Sequence, residues 1–150
     1  LLPENFSGYN IVQPSDIVLR MTDLQNDQKS LRTGLVTEKG IITSAYITTR
    51  NNNPNLVNSE YIRYLLHTFD IQKGFYGMGS GVRQNITYKD IKKLPIVVPP
   101  IEIQSQIVKF LSEKLTAVND LVKEKGNIIS ELEQYKKSLI YEYITGKKEV

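Results

Sequence analysis

The chain has 150 residues, room for one domain with a core of its own or a smaller domain with an appendage, and its 40% hydrophobic and 23% charged content is ordinary for a globular protein. It holds no cysteine, which excludes a disulfide framework and any cysteine metal site and suits a reducing cytoplasm, the expected compartment. The net charge of +3 is unevenly spread: up to Ile101 there are 11 Lys and Arg against 8 Asp and Glu, and from Glu102 on there are 8 of each.

All five arginines (Arg20, Arg32, Arg50, Arg63, Arg83) lie in the first part. Arginine's planar fork of donors suits phosphate and guanine edges, whereas a Lys–Glu mixture suits a solvated helix surface. No apolar run approaches the roughly 18 residues of a membrane span, and no signal peptide is visible. The chain opens Leu1-Leu2-Pro3 without methionine and reads as a fragment or the latter part of something longer.

In chain order, the β-branched stretches Asp16–Met21, "GLVT", Gly40–Arg50 and Leu94–Pro99 read as strands bounded by Gly, Pro and Asn. Asn51–Asn55 ("NNNPN") reads as a turn. Asn58–Phe69 reads as a helix capped by Asn58 or Ser59, with Tyr61, Ile62, Leu65, Leu66 and Phe69 on its apolar face. Thr87–Leu94 reads as a short capped helix or turn. Pro99-Pro100 is the one linker signal and the expected boundary: residues 1–100 form a first domain, 101–146 a long helix and 147–150 a tail.

From Glu102 to about Thr145 the pattern is helical throughout. Leu111, Val118, Leu132 and Leu139 recur on a seven-residue step, with Lys125 in the same column. Leu121, Ile128 and Tyr135 form a second column, and Leu115, Val122, Ile129 and Tyr143 widen the stripe. The double proline suits the first helical turn and Gly146 a stop. A helix of about 44 residues runs roughly 65 Å at 1.5 Å per residue, too long for a domain of about 100 residues to cover. The stripe therefore calls for a partner helix in a coiled coil, with packing on its own domain as the alternative. The predicted fold class is α+β: a small mixed domain followed by a long helix in a coiled coil with a partner helix, a pairing that the family resemblance described below makes antiparallel.

Catalytic chemistry finds little footing. Gly77-Met78-Gly79-Ser80-Gly81 follows a helix, where a dinucleotide fingerprint follows a strand, and it lacks the acidic residue about 20 positions on. Gly146-Lys147 lacks the rest of a phosphate-binding loop. His67 is the only histidine and stands beside Leu65 and Leu66, so a structural role suits it. No metal-ligand spacing and no nucleophile–base pair is visible, and the chain is expected to be non-catalytic. Nucleic acid suits the loops better. Lys29, Arg32, Arg50, Asn52, Lys73, Ser80, Arg83, Gln84 and Asn85 are the candidate DNA contacts, since Lys and Arg neutralise phosphates while Asn, Gln and Arg pair with base edges.

The stretch "GVRQNITYKDIKKLPIVVPPIEIQSQIVKFLSEKLTAVNDLVKE", with "LEQYKKSLIYEYITGK" after it, resembles the specificity subunit of type I restriction-modification systems. In that family a segment Leu-Pro-(apolar)-Pro-Pro-Leu-x-Glu-Gln joins a target recognition domain to a long helix. Here it reads Leu94-Pro95-Ile96-Val97-Val98-Pro99-Pro100-Ile101-Glu102-Ile103-Gln104, departing at Ile103 while Gln104, Ile107, Phe110 and Leu111 keep their places. Upstream, "SDIVLRMTDL" and "GLVTEKGIITSAYI" resemble strands of the recognition domain.

The resemblance implies a DNA-reading subunit without catalysis of its own. It would read one half of a bipartite double-stranded DNA target and dock adenine methyltransferase subunits through its helix, alongside a motor-nuclease subunit. S-adenosylmethionine, ATP and Mg are expected on those partners, with no cofactor on this chain. One domain and one helix resemble half of such a subunit, without the N-terminal part of its recognition domain. The other half would come from a homodimer through Leu111, Val118, Leu121, Ile128, Leu132 and Leu139, or from the same longer chain. The competing reading is a coiled-coil interaction module whose head binds protein instead of DNA.

Overall fold

The computed structural model describes residues 6–27, 29–79 and 85–150. The chain divides into two compact units, Leu1–Val108 and Lys109–Val150. The architecture is mixed α and β, as expected, with small antiparallel sheets and one long helix.

The first unit opens with β1 (Tyr9–Val12) and β2 (Ile17–Leu19), followed by β3 (Thr33–Leu35), β4 (Gly40–Thr43) and β5 (Ile47–Thr49). The run Gly40–Arg50, read as one strand, is two. A turn closed by the Tyr46 N–H on the Thr43 carbonyl (3.1 Å) breaks it, and its halves join different sheets. β4 pairs with β1, an antiparallel partner that the sequence reading missed, whereas β5 pairs with β2 in the order β3-β2-β5. Ile17, Val18 and Leu19 face Leu35, Gly34 and Thr33 on one side and Thr49, Thr48 and Ile47 on the other, so β2 is the central strand. Its alternating side chains place Ile17 and Leu19 inside.

Helix α1 (Ser59–Ile71) begins where Asn58 Oδ1 accepts the N–H groups of Glu60 (2.9 Å) and Tyr61 (3.1 Å), the capping role that its residue type predicts. A 3-10 turn over Gly74–Gly77 follows, entered through Lys73 at φ 61°. Gly74 is required there: a Cβ would lie 2.4 Å from the Phe69 ring, which stacks edge-on against Phe75 at 4.9 Å. Helix α2 (Tyr88–Ile91) is a single turn with a capping box: the Asp90 carboxylate accepts both the N–H (2.9 Å) and the hydroxyl (2.7 Å) of Thr87. The core joins these elements. Ile17, Leu19, Met21, Leu24, Leu66, Phe75, Ile86 and Ile91 are buried together, with Leu35, Ile62, Phe69 and Leu94 packed around them.

Leu94–Pro99 forms no strand, contrary to the sequence reading. Pro95 and Pro99 supply no N–H to a ladder, and Ile96, Val97 and Val98 are exposed. The double proline instead opens α3 (Ile101–Ile144), whose first N–H groups, from Ile103 and Gln104, reach the Pro100 carbonyl at 3.0 and 3.1 Å. Gln104 is fully buried. Its carbonyl oxygen accepts the Asn58 N–H (2.9 Å), and its amide donates to the carbonyls of Leu56 (3.0 Å) and Pro99 (2.7 Å). One side chain thus ties the Asn turn, the cap of α1 and the first turn of α3 together.

From Lys109 onward α3 buries no side chain. It ends as its sequence suggests. Gly146 takes φ 71°, its N–H meets the Tyr143 carbonyl (3.3 Å), and the Lys147 N–H meets that of Glu142 (2.8 Å), a Schellman closure. Among the described residues no helix is long and apolar enough to cross a membrane.

Candidate nucleic-acid interface

The structure sorts the nine candidate contacts into three groups. Ser80, Arg83 and Gln84 lie outside the described residues. Lys29, Arg32, Lys73 and Asn85 converge on one loop, the segment between β2 and β3 that runs from Thr22 to Leu31. Arg50 and Asn52 belong to the segment after β5, where Arg50 is engaged by Asp16 and Asn52 is exposed.

Arg32 is the clearest correction. It stands among surface candidates in the sequence, yet it is 1% exposed. Its Nη1 donates to the Thr22 carbonyl (2.9 Å) and more distantly to that of Arg20 (3.5 Å), and its Nη2 donates to the carbonyl of Asp27. Its backbone N–H donates to the carboxylate of buried Asp70 on α1 (2.6 Å). A guanidinium so placed cannot reach DNA. Taking it out of water costs on the order of several kcal/mol, which the charge-assisted bonds to carbonyls offset at about 1.5–3 kcal/mol each.

Asp27 completes the inside of the loop. Its carboxylate accepts the N–H groups of Ser30 (2.9 Å) and Lys29 (3.2 Å) and pairs with Arg20 at 3.0 Å. The Ser30 N–H foremost holds this carboxyl well below the usual range, so it stays ionised. The Tyr76 hydroxyl reaches the Asp27 carbonyl (3.2 Å), and the Tyr76 ring lies 4.9 Å from the Lys73 ammonium. Asn85 is exposed, and its Oδ1 accepts the Asp23 N–H (2.9 Å) while the neighbouring Ile86 N–H meets the Met21 carbonyl (2.9 Å). Asn85 thereby braces the loop from a segment 62 residues away in sequence. Lys29 is exposed, and its ammonium has no ion-pair partner among the described residues.

Arg50 is engaged differently. Its Nε and Nη2 donate to the two carboxylate oxygens of Asp16 at 2.8 and 2.7 Å, a bidentate pair, and Nη2 leans toward the Ile11 carbonyl (3.5 Å). The fork that would grip a phosphate is filled by a buried carboxylate, which the Arg50 hydrogen bonds in turn hold below its ordinary value of 3.8. Asn52 is exposed within the Asn turn, where Asn51 Nδ2 meets the Val57 carbonyl (2.6 Å) and Asn51 Oδ1 accepts the Asn53 N–H (2.9 Å). That turn agrees with the reading of "NNNPN".

Two features escaped the sequence reading. Lys89, Lys92 and Lys93 are all exposed around α2, at a spacing of three and four residues that the "YKDIKK" string already displays. Gln25 is exposed on the Thr22–Leu31 loop and makes no hydrogen bond among the described residues. On α3, Val118, Leu121, Ile128 and Leu132 are exposed, and Leu111 and Leu139 half-buried. Among the described residues no cluster of three or more His, Cys, Asp and Glu is placed to hold a metal ion. His67 is half-buried on α1.

A family model described as type I restriction modification DNA specificity domain matches residues 13–142. The chain is also 30% identical over 96 residues, 64% of its length, to a protein of Methanocaldococcus jannaschii named as the specificity subunit of the type I restriction enzyme MjaX. It spans 21% of that protein's length. The matched residues run from the turn before β2 to near the end of α3, so the Thr22–Leu31 loop and most of the long helix fall within one match. The chain therefore belongs to the type I restriction modification DNA specificity domain family.

Proposed function

We propose that this chain is a DNA-reading half of a type I restriction-modification complex, without catalysis of its own. The first unit reads one part of a bipartite double-stranded target. The long helix pairs antiparallel with an equivalent helix, from a second copy or from the same longer chain, and docks the adenine methyltransferase subunits. S-adenosylmethionine, ATP and Mg act on those subunits and on the motor-nuclease. The observation that carries this reading is the match over residues 13–142, because it joins a head with a polar, lysine-bearing surface to a helix whose apolar columns stay exposed.

The charges support a phosphate-contacting head. Lys29, Lys89, Lys92 and Lys93 are exposed, and each phosphate they neutralise releases counterions, so binding should weaken steeply with salt. Exposed side chains such as Val118, Leu121 and Leu132 support a partner helix, since a seven-residue apolar repeat is buried only when a second helix supplies the holes for its knobs.

Mapping methylated adenines in DNA from cells that carry the complete system, with and without this chain, tests the function. A two-part methylated motif that vanishes without the chain is the expected result, and an unchanged motif overturns it. Sedimentation tests the pairing: a dimer is expected of the half-subunit form, and a clean monomer over the accessible concentration range excludes it.

A further inference from the structure

Taking the DNA-reading function proposed above as its basis, we propose that the described residues 22–27 and 29–31, between β2 and β3, form the base-reading element of this domain. Gln25 is its specificity-determining side chain, Lys29 its phosphate contact, and Arg32 a positioning residue that holds the loop from beneath. Three independent features of the loop converge on that division of roles.

Several backbone groups of the loop have fixed partners among the described residues. Arg32 draws the carbonyls of Thr22 and Asp27 toward one guanidinium, Asp27 gathers the N–H groups of Lys29 and Ser30, and Asn85 takes that of Asp23. Leu24, fully buried, pins the middle into the core. Asp23 adopts φ 57°, with its carboxylate accepting from Asn26 Nδ2 at 2.6 Å. A loop so restrained loses little conformational freedom when it meets a ligand, which is what a reading surface needs.

What faces outward is the right chemistry. Gln25 presents an exposed amide with no hydrogen-bond partner among the described residues, one donor and one acceptor group, the pair that matches adenine N7 and N6 in the major groove. Lys29, four residues on, presents an exposed ammonium without an ion-pair partner among the described residues. Neither side chain contributes to the core, so the fold gives no reason for their identities.

The choice of arginine beneath the loop is the third feature. Its Nε is buried without a partner among the described residues, an arrangement poorer for stability than a packed apolar side chain. Its distinctive property is geometric: a planar fork can gather several carbonyls at once and so dictate the loop's path. Loop shape, more than stability, is what Arg32 supplies.

Selection of bound sequences from a randomised duplex pool, with the full chain at fixed salt, tests the inference. The wild type is expected to enrich a motif. Gln25→Ala should relax the preference at one base pair by on the order of tenfold while leaving the salt dependence unchanged. Lys29→Ala should weaken binding to every sequence alike and reduce the salt slope by about one. Arg32→Lys should relax the same base pair as Gln25→Ala; equal weakening for all sequences would leave it a stability residue only. Should Arg32→Lys fail to fold, exposed Gln25 still decides. An identical motif from Gln25→Ala overturns the inference and leaves DNA reading intact, whereas a wild type that enriches no sequence overturns the function itself.

Discussion

Up to Val108 the chain buries Leu19, Met21, Leu24 and Phe75 against one another and encloses Arg32, Asp70 and Gln104 with hydrogen-bond partners. From Lys109 it buries nothing, although Leu115, Val118, Leu121, Val122 and Leu132 are as apolar as the residues of the core. The difference lies in geometry. Short strands, a helix and loops enclose a volume, so the first unit removes apolar surface from water by itself. A single helix encloses none, and its stripe can be buried only by another element. The first unit therefore supplies its own burial, whereas the apolar stripe of α3 from Lys109 on is left uncovered among the described residues.

That contrast can be broken or sharpened by substitution. The largest effect is expected of Phe75→Ala, which empties the centre of the core beside Phe69 and should destabilise the first unit by about 3–5 kcal/mol in denaturant titration. Retention of the wild-type midpoint would show that this core is not what holds the unit.

Gln104→Ala is expected to cost about 1–3 kcal/mol, because the Asn58 N–H and the Leu56 and Pro99 carbonyls lose their common partner in a buried place. Hydrogen exchange at the Asn58 amide should quicken with it. Asn58→Ala removes the α1 cap and should cost about 1 kcal/mol by the same titration.

The Asp16–Arg50 pair gives a smaller, pH-dependent effect. The folded-state pKa of Asp16 is depressed below 3.8, so its contribution is present above that value and fades as pH falls through the lowered one. The stability gap between wild type and Asp16→Asn should therefore narrow as the pH is lowered from about 5 to about 2. A gap that stays constant over that range would deny the pair any linkage to folding.

Leu132→Lys should change the stability of the isolated monomer least, by no more than about 0.5 kcal/mol, since the side chain is exposed there. Sedimentation should nevertheless show it dissociating helix-paired dimers. A Leu132→Lys protein that still dimerises would locate the contact elsewhere.

Where a local signal is complete within a few residues, the sequence was a good guide. Asn58 caps α1, Thr87 and Asp90 form a capping box, the double proline opens α3, and Gly146 closes it at positive φ. These are interactions between residues at most five positions apart, and the chemistry of each is written in the residue types. The seven-residue apolar step of α3 is legible for the same reason, because a helix maps sequence spacing directly onto one face.

Interactions across long separations were not legible. The run Gly40–Arg50 divides between two sheets because β1 and β2 offer two partners, and a β-branched string does not say which of them it joins. Leu94–Pro99 has strand composition but no ladder, since its two prolines supply no donors. Arg32 looks like any loop arginine until Thr22, Asp27 and Asp70 are seen to close around it, and Arg50 until Asp16 fills its fork. Residue type and spacing determined the helices, their ends, the α+β class and the family resemblance, because those follow from short-range stereochemistry. Which charged side chains are free to meet a partner was decided only by the tertiary structure, because a charge is committed or available according to what the rest of the chain brings within hydrogen-bonding distance.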